Sequence, residues 1–155
     1  ELFEELSKVC KVYVVSNCQS GYIELFLKLN GMEQYVTDIE CYGNTLLSKG
    51  ENIKLVMERN NIQNTFYVGD TMGDFNASKF AGIPFVYAKY GFAKVEGAWK
   101  EVDDIREIFE IIIGISTLIT FLYYICIRLL YNIFSIIINF TIAINWKMGY
   151  NSEIE

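Results

Sequence analysis

Short runs rich in β-branched and aromatic residues alternate with stretches of helical apolar spacing along the first hundred residues, and this alternation constrains the fold more than any other feature. The runs lie at residues 12–15, 38–42, 65–68 and 84–87. Parallel strands need a long crossover connection, and an intervening helix supplies it. We therefore predict the α/β class, with a doubly wound parallel sheet.

End signals support the three helices predicted between these runs. Asn30 and Gly31 form a typical stop for the first helix. Ser48 is the predicted N-cap of the second helix, because Glu51 follows it by three residues as in a capping box. The third helix ends at Gly82. Three units of strand followed by helix therefore fit into this part of the chain.

In open parallel sheets, ligands bind beyond the carboxyl ends of the strands. Asp70 and Asp74 follow the run at 65–68, with Gly69 and Gly73 beside them. Two carboxylates at such a turn suit Mg²⁺, which prefers one or two carboxylates together with phosphate and water. The alternative is that Asp70 caps the helix and Asp74 is solvated, since acidic residues near a helix N-terminus are common.

Two further loops carry candidate phosphate ligands. Ser16 and Asn17 directly follow the run at 12–15, where a hydroxyl and nearby backbone N–H groups can hold a phosphoryl oxygen. The alternative is a turn that uses both side chains for local hydrogen bonds. Lys49 stands at a helix start, where a cation opposes the helix dipole, so a nearby anion would explain it. An exposed surface lysine is the other interpretation.

Four segments, in chain order, resemble the motifs of the haloacid dehalogenase-like phosphatases, and the phosphoglycolate phosphatase branch is the most similar. The segments are VVSN at 14–17, SKG at 48–50, YVGDTMGD at 67–74 and AGIP at 81–84. The resemblance covers about residues 1–108. It implies a partial Rossmann-like core with a parallel sheet. It also implies a hydrolase of phosphoric monoesters that uses Mg²⁺ as its cofactor.

The resemblance assigns a role to each candidate residue. Ser16 is expected to bind the transferring phosphoryl group through its hydroxyl, and Lys49 to neutralise the charge of that group, so both are expected catalytic residues. Asn17 is expected to add a further phosphate contact. Asp70 and Asp74 form the expected metal site, with Asp70 as the direct magnesium ligand and Asp74 supporting either the metal or Lys49.

The sequence departs from the family in one feature that decides its chemistry. Family members carry an early strand that ends in Asp-x-Asp, whose first Asp attacks phosphorus, and a helical cap domain usually follows. No Asp-x-Asp occurs here, and the Asp103-Asp104 pair is too late in the chain and wrongly spaced. The chain therefore resembles the rear half of a phosphatase core without its first strand.

These observations lead to one expected function and one alternative. We expect a magnesium-dependent phosphatase that acts on a small phosphorylated metabolite such as phosphoglycolate. The chain would be a fragment of it, lacking the nucleophile and cap and inactive by itself. The alternative is a non-catalytic module that binds phosphate or metal and is tethered to a membrane.

Composition excludes several other classes. The chain has no histidine, which removes imidazole zinc sites and Ser-His-Asp triads. A net charge of −6 provides no electrostatic footprint for nucleic acid, so we expect no such partner. The four cysteines lack the spacing of a zinc site or a disulfide framework, which indicates reduced thiols and a cytoplasmic location. The oligomeric state stays open.

The last third of the chain is almost uncharged, since Arg128 is the only charged residue of the stretch 111–146. Three interpretations stay open: a membrane anchor, which would make the protein membrane-associated, a helical pair buried against the core or a partner, and a non-native extension. We therefore divide the chain into a phosphatase-like core at 1–108, an apolar helical tail at 109–146 and a polar C-terminus at 147–155.

Overall fold

The computed structural model describes residues 2–114, 121–123 and 125–127. The elements are, in chain order, α1 (Leu2–Val9), β1 (Tyr13–Ser16), α2 (Tyr22–Leu29), a 3₁₀ turn (Glu33–Tyr35), β2 (Asp38–Cys41), α3 (Tyr42–Thr45), α4 (Lys49–Arg59), β3 (Tyr67–Gly69), α5 (Met72–Ala81), β4 (Phe85–Ala88) and β5 (Lys100–Val102). Residues 107–114, 121–123 and 125–127 are also helical. The predicted α/β class is confirmed.

Every strand pair that the structure describes is parallel, which confirms the predicted sheet type. Strand β1 pairs with β2, with Tyr13 opposite Asp38 and Ser16 opposite Cys41. Strand β4 lies between β3 and β5. The strands form a sheet of two and a sheet of three. The parallel core is therefore present in two pieces.

Strands β1 and β3 each turn one edge away from the partner strand of their own sheet. The Thr37 N–H donates to the Val12 carbonyl at 2.7 Å, so alternate residues of β1, beginning with Val12, face β2. Val15 therefore directs its carbonyl away from β2, where it accepts a hydrogen bond from the Tyr67 hydroxyl at 3.0 Å. Because the Tyr67 N–H pairs with β4, the backbone groups of Val68 face away from β4. This side-chain contact joins the open edge of β1 to strand β3.

The two strands with an open edge, β1 and β3, are also less buried than β4. All four residues of β4 are buried, whereas those of β1 and β3 are only half-buried. Parallel strands are normally covered on both faces and both edges by neighbouring elements. Each piece has its own apolar cluster, around Ile23, Leu27 and Cys41 beside β1 and β2 and around Phe85, Tyr87 and Val95 beside β3 and β4. The half-buried strands are consistent with a partial core.

The helix ends follow the sequence signals. Ser48 caps α4 in a capping box with Glu51, as predicted. Thr71, rather than Asp70, caps α5, and its capping-box partner is Asp74. The alternative in which Asp70 is the helix cap is therefore wrong. Helix α5 ends at Gly82, whose φ of 79° is the left-handed conformation that glycine adopts most easily.

The chain divides into two units, Glu1–Phe109 and Glu110–Glu155. Within the described residues, no helix is long and apolar enough to cross a membrane. Most of the stretch 111–146 lies outside the described residues, as does the whole C-terminal segment at 147–155. The membrane anchor, the buried helical pair and the non-native extension thus stay predictions, and so does the cytoplasmic location.

Candidate functional site

Asp74 is the most completely bonded side chain at the carboxyl end of β3. It lies in the first turn of α5 and is 4% exposed. Its Oδ2 accepts hydrogen bonds from the backbone N–H groups of Asp70 and Thr71, at 3.3 and 3.1 Å, and from the Thr71 hydroxyl at 2.7 Å. Its Oδ1 accepts a hydrogen bond from the Lys49 ammonium group. Both carboxylate oxygens are therefore occupied and the carboxylate is held in one orientation.

Lys49 reaches this carboxylate from the first residue of α4. The Nζ–Oδ1 distance is 2.5 Å, and the side chains of Lys49 and Asp74 are 18% and 6% exposed. Burial acts to raise the pKa of Asp74, but the hydrogen bonds from Lys49 and Thr71 and the charge of Lys49 outweigh it, so the pKa lies below its usual value. The predicted anion beside Lys49 is present, and the surface-lysine interpretation is wrong.

Two glycines allow these groups to approach. A Cβ on Gly69 would lie 2.7 Å from Asp74 Cγ, so a side chain there would displace the carboxylate. A Cβ on Gly50 would lie 2.7 Å from the Phe80 ring, which packs α5 against α4. Gly50 thus permits the close packing of the two helices that brings Lys49 to the start of α5.

Asp70 lies one residue beyond β3 and is held by a different loop. Its Oδ2 accepts a hydrogen bond from the backbone N–H of Phe92 at 2.9 Å. Its Oδ1 accepts none from the part of the chain that the structure describes. One carboxylate oxygen next to the Lys49–Asp74 pair is therefore free to bind a further group.

This donor set fits part of a magnesium site. Magnesium takes oxygen ligands and commonly uses only one or two protein carboxylates, with water and substrate phosphate completing the shell. Asp70 supplies one such oxygen, whereas both oxygens of Asp74 are engaged elsewhere. The described residues contain no group of three or more Cys, Asp and Glu side chains that could hold a metal ion.

Ser16 and Asn17 lie at the carboxyl end of β1. The Ser16 hydroxyl accepts a hydrogen bond from the Cys18 N–H at 3.2 Å, which leaves its own proton available to a ligand. Asn17 is exposed. The loop is linked to the Asp70 loop only indirectly, because the Tyr67 hydroxyl bonds the Val15 carbonyl one residue before Ser16.

The structure therefore brings three of the five predicted site residues into one hydrogen-bonded group. Lys49 and Asp74 are in direct contact, and Asp70 joins them through its backbone N–H. Ser16 and Asn17 lie on a separate strand end, without a direct hydrogen bond to those three among the described residues. Their roles as phosphate, metal and catalytic residues stay predictions.

Two residues with clear structural roles were not singled out from the sequence. Thr71 donates and accepts hydrogen bonds with Asp74, and its signal was present, since Thr-x-x-Asp is a capping-box pattern. Tyr67 bridges the two sheets, and burial, with further contributions from the charges of Asp74 and Asp70, raises the pKa of its hydroxyl. Nothing in the local sequence of Tyr67 indicates this bridging contact.

Solved structures with the same fold cover most of the described region. A hydrolase of the haloacid dehalogenase (HAD) superfamily, subfamily IA, from Geobacter sulfurreducens has a TM-score of 0.64 and 22% identity, covering 72% of this chain and 52% of that one. A HAD phosphatase from Thermococcus onnurineus has a TM-score of 0.64 and 21% identity, covering 71% and 54%. At these identities the likeness shows the fold alone.

A third structure, a HAD hydrolase from Bacillus subtilis described as bound to magnesium, has a TM-score of 0.63 and 20% identity, covering 72% of this chain and 52% of that one. The present chain thus spans little more than half the length of the structures it resembles.

No curated protein matches it. A comparison with family models matches residues 1–88, more than half of the sequence, to the haloacid dehalogenase-like hydrolases. The chain belongs to the haloacid dehalogenase-like hydrolase family.

Proposed function

We propose that the protein is a magnesium-dependent phosphomonoester hydrolase whose substrate is a small phosphorylated metabolite. This chain supplies the phosphate-binding and metal-supporting part of its site. The buried Lys49–Asp74 ion pair beside Asp70, at the carboxyl end of a parallel strand, is the observation that carries the proposal. Desolvation of two charges offsets most of their attraction, so stability alone is a weak reason to keep such a pair.

Lys49 and Ser16 provide the donors that a phosphoryl group requires. An ammonium group has three N–H donors, and in the described part of the chain Lys49 uses one, on Asp74. The other two can face a phosphoryl oxygen and neutralise its charge. The Ser16 hydroxyl can donate its proton to a second oxygen, and Asn17 adds an amide donor on the same loop.

Asp70 and Asp74 take different parts in this proposal. Asp70 would hold magnesium through its free oxygen, and the metal, when bound, would offset the negative charge of the phosphoryl oxygens. Asp74 is a positioning residue, because one of its oxygens already accepts from Lys49 and the other from the Asp70–Thr71 turn that precedes α5. A neutral side chain at Asp74 would release Lys49.

The nucleophile comes, in this proposal, from a strand that lies between β1 and β3. Both strands turn open edges away from their sheets, and the Tyr67 hydroxyl takes the Val15 carbonyl that an N–H of an inserted strand would otherwise use. The first Asp of an Asp-x-Asp motif on that strand would attack phosphorus. The ester P–O bond breaks, and the second Asp gives the leaving oxygen its proton.

The 155 residues alone are expected to bind phosphate without hydrolysing phosphate esters, because the sequence contains no Asp-x-Asp. The same observation favours one alternative, a non-catalytic phosphate- or metal-binding module, tethered to a membrane through residues 111–146. The family's cap domain selects the substrate, so phosphoglycolate is only the first compound to test.

Two proteins separate these functions: the chain as it stands, and the same chain preceded by a front half that carries Asp-x-Asp and a cap. Both are assayed on a panel of small phosphate esters with and without magnesium. We expect hydrolysis only by the extended protein, only with magnesium, and lost in Lys49→Met and Asp70→Asn.

Lys54→Met is the matched control for Lys49→Met, because Lys54 lies on the same helix with its ammonium group over the Phe80 ring. It should keep the full rate. An extended protein that stays inert while the chain binds inorganic phosphate would favour the binding module. Hydrolysis by the unextended chain, abolished by Asp70→Asn, would show that a nucleophile in this sequence was missed.

A further inference from the structure

Two cysteines share one apolar cluster at the end of β1 and β2 that carries the candidate phosphate-binding loop. Cys41 ends β2 and is fully buried, and Cys18 packs against the apolar cluster that Cys41 forms with Ile23 and Leu27. The register places Cys41 opposite Ser16, two residues before Cys18. Of the other two cysteines, Cys10 donates a hydrogen bond to the Leu6 carbonyl of α1, and Cys126 is exposed.

The two thiols also interact with each other. Burial is the largest cause that raises the pKa of the Cys41 thiol, and the neighbouring Cys18 thiol raises it further. Cys41 therefore stays protonated and is a poor nucleophile toward small oxidants. Cys18 is only half-buried, so a small oxidant reaches it more easily.

The backbone of Cys18 forms part of the Ser16 loop. Its N–H donates to the Ser16 hydroxyl at 3.2 Å, and its carbonyl accepts from the Gly43 N–H at 2.9 Å. A covalent bond from Cys18 to the end of β2 would therefore change the geometry of the loop that carries Ser16 and Asn17. A movement of about 1 Å is enough to disturb a ligand site severely.

We propose that Cys18 and Cys41 form a peroxide-oxidisable disulfide pair that locks the Ser16 loop. The Cys18 thiolate attacks one oxygen of hydrogen peroxide, the O–O bond breaks, and hydroxide leaves and is protonated to water. This gives a sulfenic acid on Cys18. The Cys41 thiol then attacks the Cys18 sulfur while its proton passes to the leaving hydroxide, so the S–OH bond breaks and a second water leaves. Two thiols and one peroxide become one disulfide and two waters.

The first test maps the bond in the full chain. The protein is treated with hydrogen peroxide, alkylated under denaturing conditions and digested, and the linked peptides are identified by mass spectrometry. We expect a Cys18–Cys41 linkage that dithiothreitol reverses, and that also forms in the Cys10→Ser/Cys126→Ser protein. Linkages that involve only Cys10 or Cys126, or Cys18 oxidised without any linkage, would overturn the proposal.

Two single variants give the matched comparison. In Cys41→Ser, Cys18 should stop at the sulfenic acid or be oxidised further, because no resolving thiol is in contact. In Cys10→Ser, the Cys18–Cys41 linkage should form as in the unchanged protein. Equal linkage yields in all proteins that retain Cys18, through some other cysteine, would contradict the direct contact.

The second test measures the loop. Amide hydrogen exchange at residues 16–18 should slow on oxidation and recover on reduction, whereas the strand β4 should not change. Unchanged exchange in the linked protein would overturn the locking step. The consequence for phosphate rests on the proposed function: oxidation should weaken phosphate binding by about tenfold or more. If the reduced protein binds no phosphate, the proposed function fails. The peptide mapping still decides whether Cys18 and Cys41 form a disulfide.

Discussion

Helix α4 carries a cation at each end, and the two ends differ in chemistry. Lys49 is its first residue and Arg59 its last. A cation is unfavourable at a helix N-terminus and favourable at the C-terminus, because of the helix dipole. Lys49 nevertheless lies at the unfavourable end, mostly buried, and a single carboxylate, Asp74, balances it.

Arg59 is satisfied in a way that Lys49 is not. Its Nε and Nη2 donate to Asp38 at 2.6 and 2.8 Å, its Nη1 to Glu40 at 2.7 Å, and Nη2 also to the Ile39 carbonyl at 2.6 Å. The guanidinium group thus joins α4 to β2 through all three of its nitrogens. In the part of the chain that the structure describes, Lys49 uses one of its three N–H donors, which leaves two for a ligand.

The largest expected effect is at the N-terminal end. Asp74→Ala leaves the buried Lys49 ammonium group without its partner and removes the acceptor for the Asp70 and Thr71 N–H groups just before α5. We expect the free energy of unfolding to fall by about 3 kcal/mol. Chemical denaturation of the full chain measures it. Asp104→Asn, in an exposed pair with Arg106, is the control and should change little, and equal effects of both variants would contradict the burial argument.

Two single variants, Arg59→Ala and Lys49→Met, sharpen the comparison between the two ends of α4. Arg59→Ala should lower the free energy of unfolding by about 1–2 kcal/mol, less than a fully buried pair because the arginine side chain is 38% exposed. It should leave phosphate binding unchanged. Lys49→Met should also lower the free energy of unfolding, because it leaves the buried Asp74 carboxylate without its cation, but it should in addition cause a large loss of phosphate affinity, measured by titration with inorganic phosphate. Weakened phosphate binding in Arg59→Ala would remove the distinction between the two ends.

The interactions at the N-terminal end of α4 could be predicted from the sequence, whereas those at its C-terminal end could not. Ser48 and Glu51 mark the cap of α4 by their spacing, and a cation placed against the dipole at Lys49 predicts an anion nearby. The cluster of Arg59 with Asp38 and Glu40 joins residues about twenty positions apart. No local pattern encodes such a separation.

For the strands, too, the sequence predicts local structure but not contacts between distant residues. The presence of β1 to β4 and the parallel type of the pairing follow from β-branched runs alternating with helices, and the structure confirms them, whereas β5 is not one of those runs. The division into two sheets does not follow, because it depends on which edges remain open in three dimensions. The contacts of Tyr67 with Val15 and of Cys18 with Cys41 also depend on tertiary packing.

A pH titration tests the electrostatic basis of the N-terminal pair. The pKa of Asp74 is lower in the folded protein than in the unfolded chain, so its contribution is complete above the unfolded value, about 3.9, and is lost as the pH falls through the folded value. The difference in stability between the unchanged protein and Asp74→Asn should therefore be constant near neutral pH and shrink below about pH 4. A difference that is independent of pH into strong acid would mean that packing, not charge, accounts for it.

The smallest expected effect is at the cap that precedes Lys49. The Ser48 hydroxyl accepts from the Glu51 N–H at 3.4 Å, and the Ser48 N–H donates to the Glu51 carboxylate at 2.8 Å. Ser48→Ala should lower the free energy of unfolding by about 1 kcal/mol, because one N-terminal donor of α4 loses its acceptor. Ser7→Ala is the control, since that exposed hydroxyl only donates to the Glu4 carbonyl within α1.

Phosphate affinity in Ser48→Ala should stay near that of the unchanged protein, because Asp74 and the packing of Gly50 against Phe80 still hold the first turn of α4 in place. A loss of phosphate affinity as large as that of Lys49→Met would show that the cap, and not Asp74, positions the lysine.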